Sequence, residues 1–112
     1  MRVKESDGLA LVSLHGELDL SEVPEVDRAL KGVEKHRPEL LVLDLRGLEF
    51  LDSSGLRLVL EADLRSRQDS RKFAVIRGPD SVHRVFLIAL LDKRLEFIDD
   101  PSTLGDIVED RA

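Results

Sequence analysis

The sequence predicts an α/β fold: a single domain over residues 1–112 in which a mixed, mostly parallel sheet is packed by about four helices. Three observations lead there. Short apolar runs alternate with segments whose apolar residues recur every three or four positions, the pattern of strands interleaved with amphipathic helices. Gly, Pro and Asp punctuate nearly every junction between them. A chain of 112 residues is long enough for one hydrophobic core and short for two.

In chain order the first element is a β-hairpin. Arg2-Val3-Lys4-Glu5 is a weak extended stretch, Asp7-Gly8 is a turn pair, and Leu9-Ala10-Leu11-Val12-Ser13-Leu14 is a mostly apolar run ended by Gly16. Val23, Val26, Leu30 and Val33 then recur at helical spacing, with Ser21 as a candidate cap, Pro24 in the tolerant first turn, and an end expected before Pro38. Leu40-Leu41-Val42-Leu43 is a continuous apolar run, as in a strand covered on both faces, and a turn is expected at Arg46-Gly47-Leu48. A second helix spans Leu56 to Arg67, with Leu56, Val59, Leu60 and Leu64 expected inward and Arg57, Glu61 and Arg65 forming a solvated stripe. Phe73-Ala74-Val75-Ile76 is a strand closed by Gly78-Pro79. It leads to a helix capped by Asp80 or Ser81 and carrying Val82, Val85, Phe86 and Ala89. Leu95-Glu96-Phe97-Ile98 reads as a short last strand, and Asp99-Asp100-Pro101-Ser102 introduces a terminal helix bearing Leu104, Ile107 and Val108. The order is β-β-α-β-α-β-α-β-α, without repeats or linkers.

Composition removes several classes of function. A formal net charge of -6 has the wrong sign for a domain that neutralises nucleic-acid phosphates or an anionic membrane surface. Cysteine is absent, which excludes disulfides, thiolate metal sites and a cysteine nucleophile, and suits a reducing compartment. With no Trp or Tyr and only four Phe, no aromatic platform for bases or sugars is expected. The N-terminus lacks the apolar core of a signal peptide and no run is long enough to span a bilayer, so the expected location is the cytoplasm.

The chemistry-bearing segment is Leu48-Glu49-Phe50-Leu51-Asp52-Ser53-Ser54-Gly55-Leu56, which places a carboxylate and two hydroxyls between a strand end and a helix start. The simple reading is that Ser53 or Ser54 caps the helix. The sharper one is that a phosphate on the same hydroxyl would be received by the positive helix start, with Arg57 one turn on to offset its charge and Asp52 opposing it. Other chemistries fit poorly. His15, His36 and His83 are too far apart in sequence for metal-ligand spacing. Leu51 replaces the first glycine of a nucleophile elbow and no triad can be assembled. The seven glycines form neither a dinucleotide fingerprint nor a phosphate loop, so no cofactor is expected and any transferred phosphate must come from ATP held by another protein.

Gly16-Glu17-Leu18-Asp19 after the hairpin, and Asp52-Ser53-Ser54-Gly55-Leu56 opening a helix after the central strand, resemble the two signatures of bacterial anti-sigma factor antagonists with the STAS fold; the likeness runs on through Pro79–Phe86 to Leu91-Asp92. The resemblance implies a non-enzymatic regulator. It would bind an anti-sigma factor that is itself a serine kinase and so release a sigma factor; it would be switched off by phosphorylation of Ser53 and restored by a serine/threonine phosphatase. By the same match the partner-facing set is Asp19, Asp52, Ser54 and Gly55, to which helical spacing from Ser53 adds Arg57, and a weak homodimer is a further allowed association. An alternative within the resemblance is an unphosphorylated scaffold in a stressosome-like or lipid-transport assembly. In one respect the chain departs from the pattern: Leu90 stands where relatives often carry glycine, so the third helix is expected to lengthen or to end without a left-handed cap.

Overall fold

Asp7 and Gly8 both take positive φ, 49° and 83°, the backbone that a two-residue hairpin turn requires. They fold β1 (Arg2–Ser6) antiparallel onto β2 (Leu9–Leu18), with Ser6 opposite Leu9. The computed structural model describes residues 1–99 and 101–103 and continues as α1 (Val23–Glu34), β3 (Leu40–Leu51), α2 (Ser53–Gln68), β4 (Lys72–Ile76), α3 (Asp80–Ile88), β5 (Phe97–Ile98) and a 3₁₀ turn at Pro101–Thr103. The five strands lie in the order β1-β2-β3-β4-β5, with every pair after the first parallel. The terminal helix expected around Leu104, Ile107 and Val108 lies outside the described residues.

The period of two along each strand sorts the apolar residues onto two faces. Ala10, Val12 and Leu14 of β2, Leu41, Leu43 and Leu45 of β3, and Phe73 and Val75 of β4 share one core with Val26, Leu30 and Val33 of α1, Leu58, Val59 and Ala62 of α2, and Val82 and Phe86 of α3. Leu40, Val42, Ala74, Ile76 and Ile98 form a second cluster with Leu9 and Leu11 on the other face. Both faces of β3 are therefore buried, as its unbroken apolar run predicts. Each fully buried leucine contributes roughly 1.5–3 kcal/mol relative to exposure.

The structure corrects several expectations. Gly47 does not turn the chain: β3 runs through it to Leu51 and β2 runs past Gly16 to Leu18, joined across two register shifts. A Cβ at Gly47 would lie 2.6 Å from the His15 ring and 2.9 Å from the Leu14 carbonyl, so glycine serves there for close strand approach. In α2 the inward face is Gly55, Leu58, Val59, Ala62, Asp63 and Ser66, while Leu64 is exposed. Arg65 is not a solvated residue: its guanidinium grips Glu34 of α1 with two bonds of 2.8 Å, and buried Arg71 adds contacts to Glu34, Ser66 and Asp69. Helix α3 starts after Pro79 without a side-chain cap from Asp80 or Ser81. It ends in a left-handed cap after all. Leu90 has φ 60°, its N–H donates to the Leu87 carbonyl at 3.0 Å, and the Leu91 N–H donates to Phe86 at 2.9 Å, the glycine-type termination built on a leucine.

Candidate functional site

Parallel pairing sets the carboxyl ends of β2 and β3 side by side, with Leu18 opposite Leu51, so the segments leaving those ends meet. One of them starts α2. Asp52 is extended (φ -104°, ψ -174°) and its carboxylate accepts the Gly55 N–H at 3.0 Å, which makes Asp52 the N-cap and corrects the expectation that Ser53 or Ser54 would fill that role. Its second carboxylate oxygen accepts the Leu20 N–H at 3.3 Å, and its own N–H donates to the Leu18 carbonyl at 3.3 Å. A single aspartate thus satisfies an orphan amide of α2 and fastens the neighbouring crossover.

That crossover has its own anchor. The Asp19 carboxylate accepts the Ser21 hydroxyl at 2.7 Å, the Ser21 N–H at 3.1 Å and the Glu22 N–H at 3.2 Å, while its carbonyl accepts the Glu22 and Val23 amides at 3.0 Å. Ser21 is therefore a donor to Asp19 and not the cap of α1, whose N-cap is Glu22 with no side-chain bond. The Ser21 hydroxyl, against an opposing desolvation and with help from the Glu22 and Ser21 amides, holds the Asp19 carboxyl below the ordinary carboxylate value.

Gly55 permits the approach of the two segments. A Cβ there would sit 2.5 Å from the Leu18 carbonyl oxygen, 2.6 Å from Leu51 Cδ1 and 2.9 Å from Leu18 Cγ. With the cap supplied by Asp52, the Ser53 and Ser54 hydroxyls make no hydrogen bond within the described structure; Ser53 is exposed and Ser54 half-buried. The first turn of α2 contains no acidic residue beyond the Asp52 carboxylate that caps it. Arg57 is exposed one helical turn later and forms no ion pair among the described residues.

Asp19, Leu20, Ser21, Phe50 and Asp52 line one shallow depression. The tertiary structure thus unites Asp19 and Asp52, with Ser53 following directly in sequence; Arg57 does not line the depression. Sequence reasoning passed over Leu20 and Phe50, which are 73% and 50% exposed. The one available signal was the three-residue interval between Leu48 and Leu51, both buried, which breaks strand alternation and turns Phe50 outward.

A larger depression lies at the opposite, amino ends of β3 and β4, lined by residues that include Lys31, Glu34, Arg37, Asp69 and Arg71. Its Glu34 and Asp69 are bound to Arg65 and Arg71. Of the histidines, His15 and His36 are exposed, His36 bonding Glu5 at 2.7 Å, whereas His83 is buried against Phe86 and Phe97 with Nδ1 unpartnered. Among the described residues no group of His, Asp and Glu is arranged to hold a metal ion, and no helix is long and apolar enough to cross a membrane.

Comparison with known proteins gives a consistent result. Residues 1–99 match the family model described as Mlab, STAS domain. The anti-sigma-F factor antagonist RsfB of Mycobacterium tuberculosis is 34% identical over 104 residues, 93% of this chain and 82% of that protein. An anti-sigma F factor antagonist of Paenibacillus polymyxa is 31% identical over 93 residues, 82% of this chain and 80% of the relative. The crystal structure of an anti-sigma factor antagonist from Mycobacterium paratuberculosis superposes with a TM-score of 0.87 at 27% identity, covering 96% of this chain and 92% of that one.

Proposed function

The chain belongs to the STAS domain family of anti-sigma factor antagonists, and on that premise we propose that it binds an anti-sigma factor with serine kinase activity, frees the sigma factor, and is switched off by phosphorylation of Ser53. One observation carries the reading: Asp52 caps α2, so the Ser53 hydroxyl is exposed and engaged in nothing the fold needs. In the transfer, Ser53 Oγ bonds to the γ-phosphorus of ATP held by the partner, the bond from that phosphorus to the β-bridging oxygen breaks, and the hydroxyl proton passes to a base on the kinase.

The product adds about -1.5 to -2 charges at pH 7. Within this chain that charge is tolerable, because it lies on the amino end of α2 with Arg57 one turn away, although Asp52 repels it. Across the interface it faces the diphosphate left in the nucleotide site, and like charges at short range in a desolvated contact separate the pair. A serine/threonine phosphatase hydrolysing the ester restores the binding form.

The test is to incubate the protein with ATP and each histidine-kinase-like anti-sigma candidate from the same genome, then locate added phosphate by peptide mass. Phosphate on Ser53 with loss of the complex is the expected result. Stable binding without phosphate would make the chain a scaffold, and no binding to any candidate would overturn the proposal.

A further inference from the structure

We infer that Leu20 and Phe50 are the apolar anchors by which this face grips its partner, and that Asp19 and Asp52 are positioning residues for those anchors and not charges offered across the interface. The inference rests on the function proposed above and commits to the same occupant: an anti-sigma factor surface with an apolar pocket edged by Arg and Lys.

Single exposed leucines are ordinary on protein surfaces and need no explanation. Here two large apolar side chains line one depression with Asp52, the residue before Ser53, and the backbone beneath one of them is held in place. The Leu20 N–H is tied to Asp52, and the next two amides are tied to Asp19. An anchor presented on an already ordered backbone loses little further conformational freedom on binding, and small clusters of this kind dominate interface energetics. One oxygen of the Asp19 carboxylate, Oδ1, takes three donors from its own loop.

The rim identifies the partner's chemistry. Besides Asp19 and Asp52, residues 16–25 and 47–56, the two segments that meet here, contain Glu17, Glu22, Glu25 and Glu49 and neither Lys nor Arg. A complementary surface carries basic residues around its apolar centre, and such a rim acts mainly on the association rate and its salt dependence.

The experiment uses the intact protein and the anti-sigma kinase that phosphorylates Ser53, with binding measured at low and high salt and folding checked by circular dichroism. Leu20→Ala and Phe50→Ala should each weaken binding by roughly tenfold or more. Association of the native pair should slow as salt rises. Asp19→Asn keeps an acceptor oxygen while removing the charge and should bind within roughly threefold of the native chain, whereas Asp19→Ala should lose about as much as Leu20→Ala. Equal losses in Asp19→Asn and Asp19→Ala would show that the charge itself is recognised and overturn the positioning role. Native affinity in Leu20→Ala and Phe50→Ala, with Ser53→Asp still releasing the pair, would overturn the anchors and leave the switch intact. Should no anti-sigma kinase bind the native chain or Ser53→Ala, the functional proposal fails and this assignment of a partner falls with it. If Leu20→Ala instead dissociates a dimer in ultracentrifugation while kinase binding is unchanged, the occupant is a second copy and the inference is overturned.

Discussion

Asp52 holds Leu20: a carboxylate at the start of α2 accepts, at 3.3 Å, the amide of a residue 32 positions earlier, while its other oxygen caps the helix at Gly55. The aspartate of the Asp-Ser-Ser-Gly element therefore ties two crossovers together, and what that tie leaves free is the hydroxyl of Ser53.

Asp52→Ala should lower stability by about 1–2 kcal/mol, since it removes the cap and leaves the Leu20 amide without its acceptor. Urea denaturation measures the cost. Faster hydrogen exchange at Leu20 and Gly55 than at core amides would locate it.

Gly55→Ala should cost about 2–3 kcal/mol, more than a helix glycine-to-alanine change would suggest, because the new methyl collides with the backbone oxygen of Leu18. Thermal unfolding checks this. A neutral or stabilising result would mean that α2 can move away from β2 without loss.

Leu90→Gly should stabilise the domain by about 0.5–1 kcal/mol. It relieves a left-handed leucine, the greater freedom of glycine in the unfolded chain offsets part of the gain, and the lost side chain is 83% exposed. The melting temperature should rise by a few degrees.

His83 should make stability depend on pH. Burial, aided by the Arg77 charge and opposed by Asp92, Asp99 and Asp80, lowers its pKa below the ordinary 6.5, so the unfolded chain takes up the proton first. Stability is then fully present above about pH 6.5 and is lost as pH falls through the lower folded value. Burial raises the Asp44 carboxyl, but the hydrogen bonds and charge of Arg46 outweigh it and leave the pKa below 3.8, so its contribution is lost only in stronger acid. His83→Leu should flatten the stability profile just below pH 6.5 and leave the acid limb unchanged, as urea midpoints across pH would show.

Ser53→Ala should change stability by less than about 0.5 kcal/mol, because the hydroxyl caps nothing. Chemical denaturation of both chains reads this directly. Arg57→Ala should destabilise Ser53-phosphorylated protein more than the unmodified form; equal effects on both would show that Arg57 does not meet the phosphate.

The alternation of elements, the buried central strand and the helix opened at Asp52-Ser53-Ser54-Gly55 were legible in the chain, because periodicity and cap chemistry are local properties of neighbouring residues. What local pattern left ambiguous, the fold resolved. Gly47 and Gly16 read as strand ends, yet β2 and β3 run past them because the paired partner supplies hydrogen bonds that no single segment can show. Arg65 and Leu64 exchanged the environments expected of them, since Glu34 of α1 waits for the guanidinium and no core surface faces the leucine. Local pattern points to Ser53 or Ser54 as the cap; its assignment to Asp52 depends on backbone angles there and on the nearby Leu20 amide, which only parallel pairing of β2 with β3 brings within reach. The same pairing gathers Leu20 and Phe50 around Asp52, the residue before Ser53. Sequence fixes which groups a chain possesses; three-dimensional packing decides which of them are already occupied, and so which remain available to a partner.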